Sequence, residues 1–298
     1  MKTLNWGNGK MSVYTTEKIS DHDFKIYHAI YSQENIFISY DWKERVELSE
    51  PDGCGFLLAK DGIAVGGAIY RDNHVTCPFL IAPFCDKYEF WNELLRLWKV
   101  RDDKLFLDFI PEIYCEPLEK AGAQKKRGQC RMLRPTTKEN VLLNKDYYFS
   151  TPATADQEEI IEVVYESHLH GYTSTVTGLP DREEVGIAVN RRFAAFSETD
   201  TLDFGTIVKN REDHKIAAVC LAGIYPGACN DFSTIHQVSV LPQHRQKGVA
   251  EAMIRNTINT AWKRSPAISL GVMTGNPAKK LYSKIGFISG MEYNDYVF

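Results

Sequence analysis

Arg245, Gly248 and Ala250 form an R-x-x-G-x-A run that follows an apolar Val238-Ser239-Val240 segment and Pro242. Free backbone N–H groups at a helix start point outward, and a residue without Cβ lets an anion approach them closely. The order over 238–262, strand then turn then helix with Gly248 at the join, therefore predicts a phosphate-binding loop. Arg245 and Lys247 add positive charge there. Farther on, Asn276 is a strong helix N-cap and Pro277 suits a first helical position. Ala278, Leu281, Tyr282 and Ile285 then recur at the spacing of a buried helical face, which Gly286 stops. A tyrosine in such a stripe brings a hydroxyl that needs a partner or a reacting group.

The elements that must position these residues alternate between helix and strand signals. In the first half, 21–32 suits a helix, and the apolar runs 56–60 and 63–70 flank Asp61-Gly62, a tight-hairpin signal. A strand at 75–81, a helix at 88–99, a strand at 105–110, a helix at 111–121 closed by Gly122, and a basic strand pair to Arg134 complete that unit. Residues 136–146 read as a linker. Beyond it come a strand at 147–150, helices at 155–168 and 181–196, and strands at 201–209, 216–225 and 233–240. After the loop helix there follow a strand at 267–273, a helix at 276–285 and a terminal strand pair. This is an α/β (α+β) chain in two domains, 1–135 and 147–298.

The halves repeat one another in order, with LIAP echoing SVLP and EKAG echoing SKIG. Counting from Pro83 as the partner of Pro242 puts Asp86 where Arg245 stands, Glu89 where Gly248 stands and Trp91 where Ala250 stands. An acidic, bulky turn repels an anion, so only the second half keeps the loop.

A length of 298 residues accommodates two domains, and 44% hydrophobic with 25% charged residues is ordinary for a soluble globular protein. No run approaches the roughly 20 apolar residues of a membrane span, and MKTLNWGNGK has no signal-peptide core, so a cytoplasmic protein without membrane contact is expected. A net charge of -4 gives no global attraction to nucleic acid, and the Lys125-Lys126-Arg127 patch reads as a solvated hairpin. The 7 cysteines lack a C-x-x-C pair and read as reduced thiols. His168 and His170 form an H-x-H without a nearby third ligand, so no metal is expected.

The R-x-x-G-x-A loop after a Val-x-Val strand, followed one strand later by Asn276, Ala278, Leu281, Tyr282, Gly286 and Phe287, resembles the GNAT N-acetyltransferase superfamily. The resemblance covers the second half, and the first half resembles a degenerate copy of the same fold. It implies two tandem GNAT-like domains, each a mixed, mostly antiparallel twisted sheet flanked by helices. It implies acetyl-CoA as cofactor, with its pyrophosphate on the loop of Arg245, Gln246, Lys247, Gly248, Val249 and Ala250. The pantetheine arm would lie along Val238 and Val240, with Asn276 and Lys279 (or Lys280) also reaching the cofactor.

The reaction implied is direct acetyl transfer to a primary amine in a ternary complex. Tyr282 matches the family's general acid, since a phenol is protonated at neutral pH. His236 stands where many members carry a glutamate, and strict alternation places it on the face of Val238 and Val240 as a candidate base. Glu166, His168, His170 and Tyr172, in or beside the loop between the first two helices of this half, are candidates for recognising the acceptor. Partners implied are a small-molecule or peptide amine, with the protein a monomer or homodimer. The competing expectation is a catalytically inactive acyl-CoA-binding sensor or scaffold.

Overall fold

Phe90 and Trp91 in the first half, and Met253 and Ile258 in the second, are excluded from solvent because each faces inward from an amphipathic helix lying on a sheet. The computed structural model describes residues 12–32, 42–98, 104–228 and 232–298. The N-terminal MKTLNWGNGK stretch and Cys229 lie outside them. The chain divides into two compact units, one of Met1–Gly128 with Tyr293–Phe298 and the other of Gln129–Glu292.

In the first unit, β1 (Tyr14–Lys18), β2 (Gly55–Lys60), β3 (Ile63–Arg71) and β4 (His74–Leu80) run antiparallel in order, and β5 (Phe106–Pro111) joins β4 in parallel. The β2–β3 turn is the Asp61-Gly62 pair, both residues at positive φ (51° and 81°), as a two-residue hairpin of this hand requires. Helices α1 (Asp21–Tyr31) and α2 (Trp42–Glu47) precede β2, while α3 (Lys87–Trp98) and α4 (Cys115–Lys120) flank β5. Phe24 of α1 packs with Leu57, Ile69 and Phe79; Phe90, Trp91 and Leu94 of α3 pack with Leu58, Val65 and Leu107. Neighbouring residues such as Leu57 and Leu58 thus serve different cores, as strand alternation demands.

The second unit repeats this plan. After β6 (Gln124–Pro135) come β7 (Tyr147–Ser150), β8 (Thr206–Asn210), β9 (Ile216–Gly223) and β10 (Ser233–Val240), the last three pairings all antiparallel; β11 (Ala267–Met273) then runs parallel to β10. Helices α5 (Gln157–Leu169) and α7 (Arg182–Glu198) cover one face through Ile160, Val164, Val189 and Phe193. Helices α8 (Val249–Ala261) and α9 (Ala278–Lys284) cover the other. The loop expected between α5 and α7 contains a further short helix, α6 (Tyr172–Thr177). Its TSTVT composition has neither the length nor an apolar stripe that would announce it.

The strands expected as pairs near Arg134 and at the C-terminus are single strands, β6 and β12 (Ile288–Val297), and each ends in the other half's unit. Residues 129–135 of β6 pair with β11 in the second unit, where Met132 is fully buried. Tyr293, Asn294, Tyr296 and Val297 of β12 pair with β5 in the first unit, where Tyr296 enters the core. Both units are therefore completed by an exchanged strand, and the division falls near 128 and 292 instead of within 136–146. Residues of the expected linker are anchored as well. Thr136 donates its hydroxyl to the Ser265 carbonyl, and Glu139 pairs with Arg134 (2.6 Å) and with Arg255.

Candidate active site

β10 keeps β11 as a parallel neighbour only from Ser233 to Ile235, whereas β9 follows it as far as Val240. Beyond Ile235 one edge of β10 has no ladder partner among the described residues, which leaves backbone donors and acceptors to be met by something else. A cavity of about 180 Å³ occupies the split, with Val238, Leu270, Met273 and Asn276 in its walls. Val238 and Val240 turn their side chains into the core beneath α8.

The loop after β10 ends in two left-handed residues, Gln246 (φ 61°) and Gly248 (φ 77°), the second of which caps α8. A Cβ at Gly248 would meet nothing within 4 Å, so the glycine is required by its backbone angle and faces open space. Among the described residues, no backbone amide from 246 to 251 donates to a protein acceptor; the first bond of α8 is Ala252 N–H to the Gly248 carbonyl (3.1 Å). Consecutive open amides at a helix start, in a cavity of about 250 Å³ that Val249 and Ala250 also line, are an arrangement that can receive an anion. Lys247 beside it is exposed and unpaired among the described residues.

Arg245 does different work from the charge expected of it. Its guanidinium donates to the carbonyls of Val240 (3.0 Å), His170 (2.7 Å) and Ser167 (3.0 Å). It ties the loop to the C-terminal end of α5, where a cation also complements the helix dipole. Lys279 likewise turns from the loop to Glu292 (3.4 Å). Burial would lower its pKa, but Cys130 and Glu292 outweigh this and raise it.

Asn276 caps α9, its Oδ1 accepting from the Ala278 N–H at 2.9 Å. Arg134 holds the other end of that helix by donating to the Ile285 carbonyl. Between these clamps Tyr282 is 7% exposed and reaches the cavity in the sheet split. Its hydroxyl has no hydrogen-bond partner among the described residues. Burial pushes its pKa well above that of a free phenol, and Cys220 adds to the shift, so it stays protonated at neutral pH.

Strict alternation fails at His236. The β9–β10 register slips between Ile235 and Gln237, making His236 the extra residue of a bulge. Its ring lies against Tyr225 (4.7 Å) and Phe196 (5.8 Å), on the α7 side of the sheet and opposite the face of Val238 and Val240. It still lines the cavity, and its Nε2 is buried without a partner. Burial, then Arg192, lowers its pKa to about 4, so the imidazole is neutral.

Of the residues expected to meet the acceptor, His168 lines two cavities, whereas Tyr172 lines neither. His168 lies between the split cavity and a larger one of about 370 Å³, and its Nε2 is 3.1 Å from Gln237 Nε2. Tyr172 donates to the Thr274 carbonyl at 2.8 Å. Glu166 and His170 are exposed and line neither cavity, because residues two apart on a helix point about 200° apart. Gln237, Thr173 and Arg192 line the larger cavity, yet nothing in their sequence spacing singled them out. Among the described residues, no group of three His, Cys, Asp or Glu is arranged to hold a metal.

Among the described residues, the first unit shows no such run of open amides. At the start of α3, Asp86 Oδ1 accepts the Glu89 N–H (2.9 Å), and Glu89 itself takes Tyr14 (2.5 Å) and Lys60 (2.9 Å).

The second unit thus combines a sheet split, a helix start with open amides and a protonated tyrosine at the split. Residues 161–287 match the family model described as "Acetyltransferase (GNAT) family". Among solved structures, the chain is similar to a GCN5-related N-acetyltransferase from Sphaerobacter thermophilus, at 15% identity over 96% of this chain and 95% of that one (TM-score 0.65). It is similar to a GNAT-family acetyltransferase from Colwellia psychrerythraea at 10% identity, over 95% and 98% of the two chains (TM-score 0.58). A tandem GNAT protein from the clavulanic acid biosynthesis pathway aligns at 9% identity over 96% and 98% (TM-score 0.53), which fits two GNAT-like units. These likenesses carry the fold. No curated protein matches the sequence.

Proposed function

We propose that the second unit binds acetyl-CoA and transfers its acetyl group to a primary amine by direct attack in a ternary complex. One observation carries this reading: the unpaired edge of β10 runs from the open amides at 246–251 to the cavity that holds Tyr282 and His236. When bound, acetyl-CoA supplies an activated thioester and a thiol as leaving group. The chain's residues fit it, because the open amides and Lys247 suit a diphosphate and the β10 edge at Val238 and Val240 suits the amides of the pantetheine arm.

Tyr282 holds a proton on its hydroxyl and gives it to the departing sulfur. A backbone N–H on the open β10 edge near Val238 polarises the thioester carbonyl. The neutral His236 Nε2 accepts a hydrogen bond from the attacking amine and orients it; a pKa of about 4 makes it a weak base, so the proton that the nitrogen loses as the amide forms passes on to water. The acceptor enters as a small molecule or peptide amine from the side of His168, with no nucleic acid or membrane involved.

Purified protein incubated with acetyl-CoA and a mixed amine library, with products read by mass, tests this. Acetylated product that is lost in Tyr282→Phe supports the transferase. Stoichiometric acetyl-CoA binding without product from any amine overturns it in favour of an acyl-CoA sensor.

A further inference from the structure

The larger cavity, about 370 Å³, adjoins the split through His168, Thr173 and Gln237, which line both. Arg192 projects into it from α7 and is partly buried. Its Nε is shielded from solvent without a partner, and among the described residues the guanidinium makes no ion pair and no hydrogen bond. A cation withdrawn from water without a counter-charge is costly, and folding gains nothing from holding it there. The cost is offset when a bound molecule brings the missing negative charge. Burial pushes the Arg192 pKa down, and burial first, with the Arg192 charge second, lowers those of His168 and His236. Arg192 is thus an electrostatic neighbour of the place where the amine reacts.

Glu184 of α7 and Asp181, whose carboxylate caps that helix, also line the cavity. Glu184 precedes Arg192 by eight residues, roughly 12 Å along a helix, so it does not neutralise the guanidinium. The cavity is positive at its inner end and negative at its outer end. A volume of this size suits a small molecule, and the forked guanidinium suits a planar carboxylate.

We propose that the acceptor is a free amino acid whose carboxylate pairs with Arg192, which sets its neighbouring amine at the split beside His236 and directs its remaining atoms along α7 toward Glu184. This rests on the transferase reading above. A lone amine or a peptide N-terminus lacks the adjacent carboxylate and would leave Arg192 unpaired.

The test compares the common L-amino acids with the same compounds as carboxamides. Two quantities are measured on the full chain: kcat/KM with acetyl-CoA, and calorimetric affinity in the presence of CoA. In the wild-type protein the best amino acid exceeds its own carboxamide by on the order of 30-fold in both, as expected when one partner of a buried charge pair is removed. Arg192→Gln brings the acid-to-amide ratio toward one, and Arg192→Lys, with charge but no fork, retains an intermediate ratio. A preserved acetyl-CoA-dependent melting shift shows that each variant is folded. Equal treatment of acid and amide by the wild type, or an unchanged ratio in Arg192→Gln, overturns the proposal. Failure of the transferase reading is distinguishable: turnover is then absent for every amine, while the calorimetric preference for the carboxylate still decides the role of Arg192.

Discussion

The Tyr172 hydroxyl donates to the Thr274 carbonyl at 2.8 Å, joining the start of α6 to the turn between β11 and α9. Thr274 sits next to Gly275, which has φ 83°, and a Cβ built on Gly275 would lie 2.4 Å from the Tyr172 oxygen. The contact therefore selects the glycine, and it fastens together two segments that flank the acceptor and split cavities. Tyr172→Phe removes one hydrogen bond and is expected to cost about 1 kcal/mol of stability. Gly275→Ala adds a clash and left-handed strain and is expected to cost more. Denaturant midpoints of the two variants check the order.

Gly248→Ala keeps the cavity in front of the loop but places a Cβ on a left-handed residue, at a cost of roughly 1 kcal/mol. Gly248→Glu also puts a negative charge before the open amides. The acetyl-CoA-dependent rise in melting temperature is expected to shrink in the first variant and vanish in the second. A full shift in Gly248→Glu would place the cofactor elsewhere.

Tyr282→Phe deletes the only proton donor that α9 aims into the split, among the described residues, with little change of shape. The expected outcome is a fall in kcat on the order of 100-fold, with acetyl-CoA affinity nearly unchanged. Steady-state kinetics beside calorimetry separates the two quantities.

His236 is folded as a neutral imidazole, its pKa lowered to about 4 against roughly 6.5 when unfolded. Between these values the unfolded chain binds more protons, so the contribution of His236 to stability is complete above about pH 6.5 and is lost as pH falls toward 4. His236→Gln is expected to flatten stability against pH in that window, as read from urea midpoints. In the active protein, no loss of rate from protonating His236 is expected until pH approaches 4.

Residues 147–298 expressed alone would leave β11 without β6 and carry β12 without β5. Such a fragment is expected to aggregate or stay unfolded, because an unpaired central strand exposes a full row of backbone groups and the Met132 contacts are lost. A fragment of residues 129–292 restores that pairing and is expected to be the more soluble. Circular dichroism and gel filtration of both decide the matter.

Local rules sufficed for the loop and for α9. Gly248 and Asn276 act through the backbone of their immediate neighbours, so strand, turn, cap and helix period predict their geometry from sequence. The same holds for Asp61-Gly62 and for the acidic start of α3, where Asp86 occupies an amide that an anion would need. Other features depended on contacts between distant segments. Arg245 was legible as a charge beside the loop, yet its hydrogen bonds go to α5 carbonyls, 75 and 78 residues away. His236 obeys a bulge that alternation cannot foresee, because the register slip belongs to the pairing with β9. Arg192 shows no motif at all; only the packing of α7 over the split makes it a cation without a partner. Sequence thus determined most of the elements and the open loop before α8, whose causes lie within a few residues. Tertiary structure decided the exchange of β6 and β12, the side of the sheet that His236 faces and the charge of the acceptor cavity, since each depends on which remote strand or helix lies alongside.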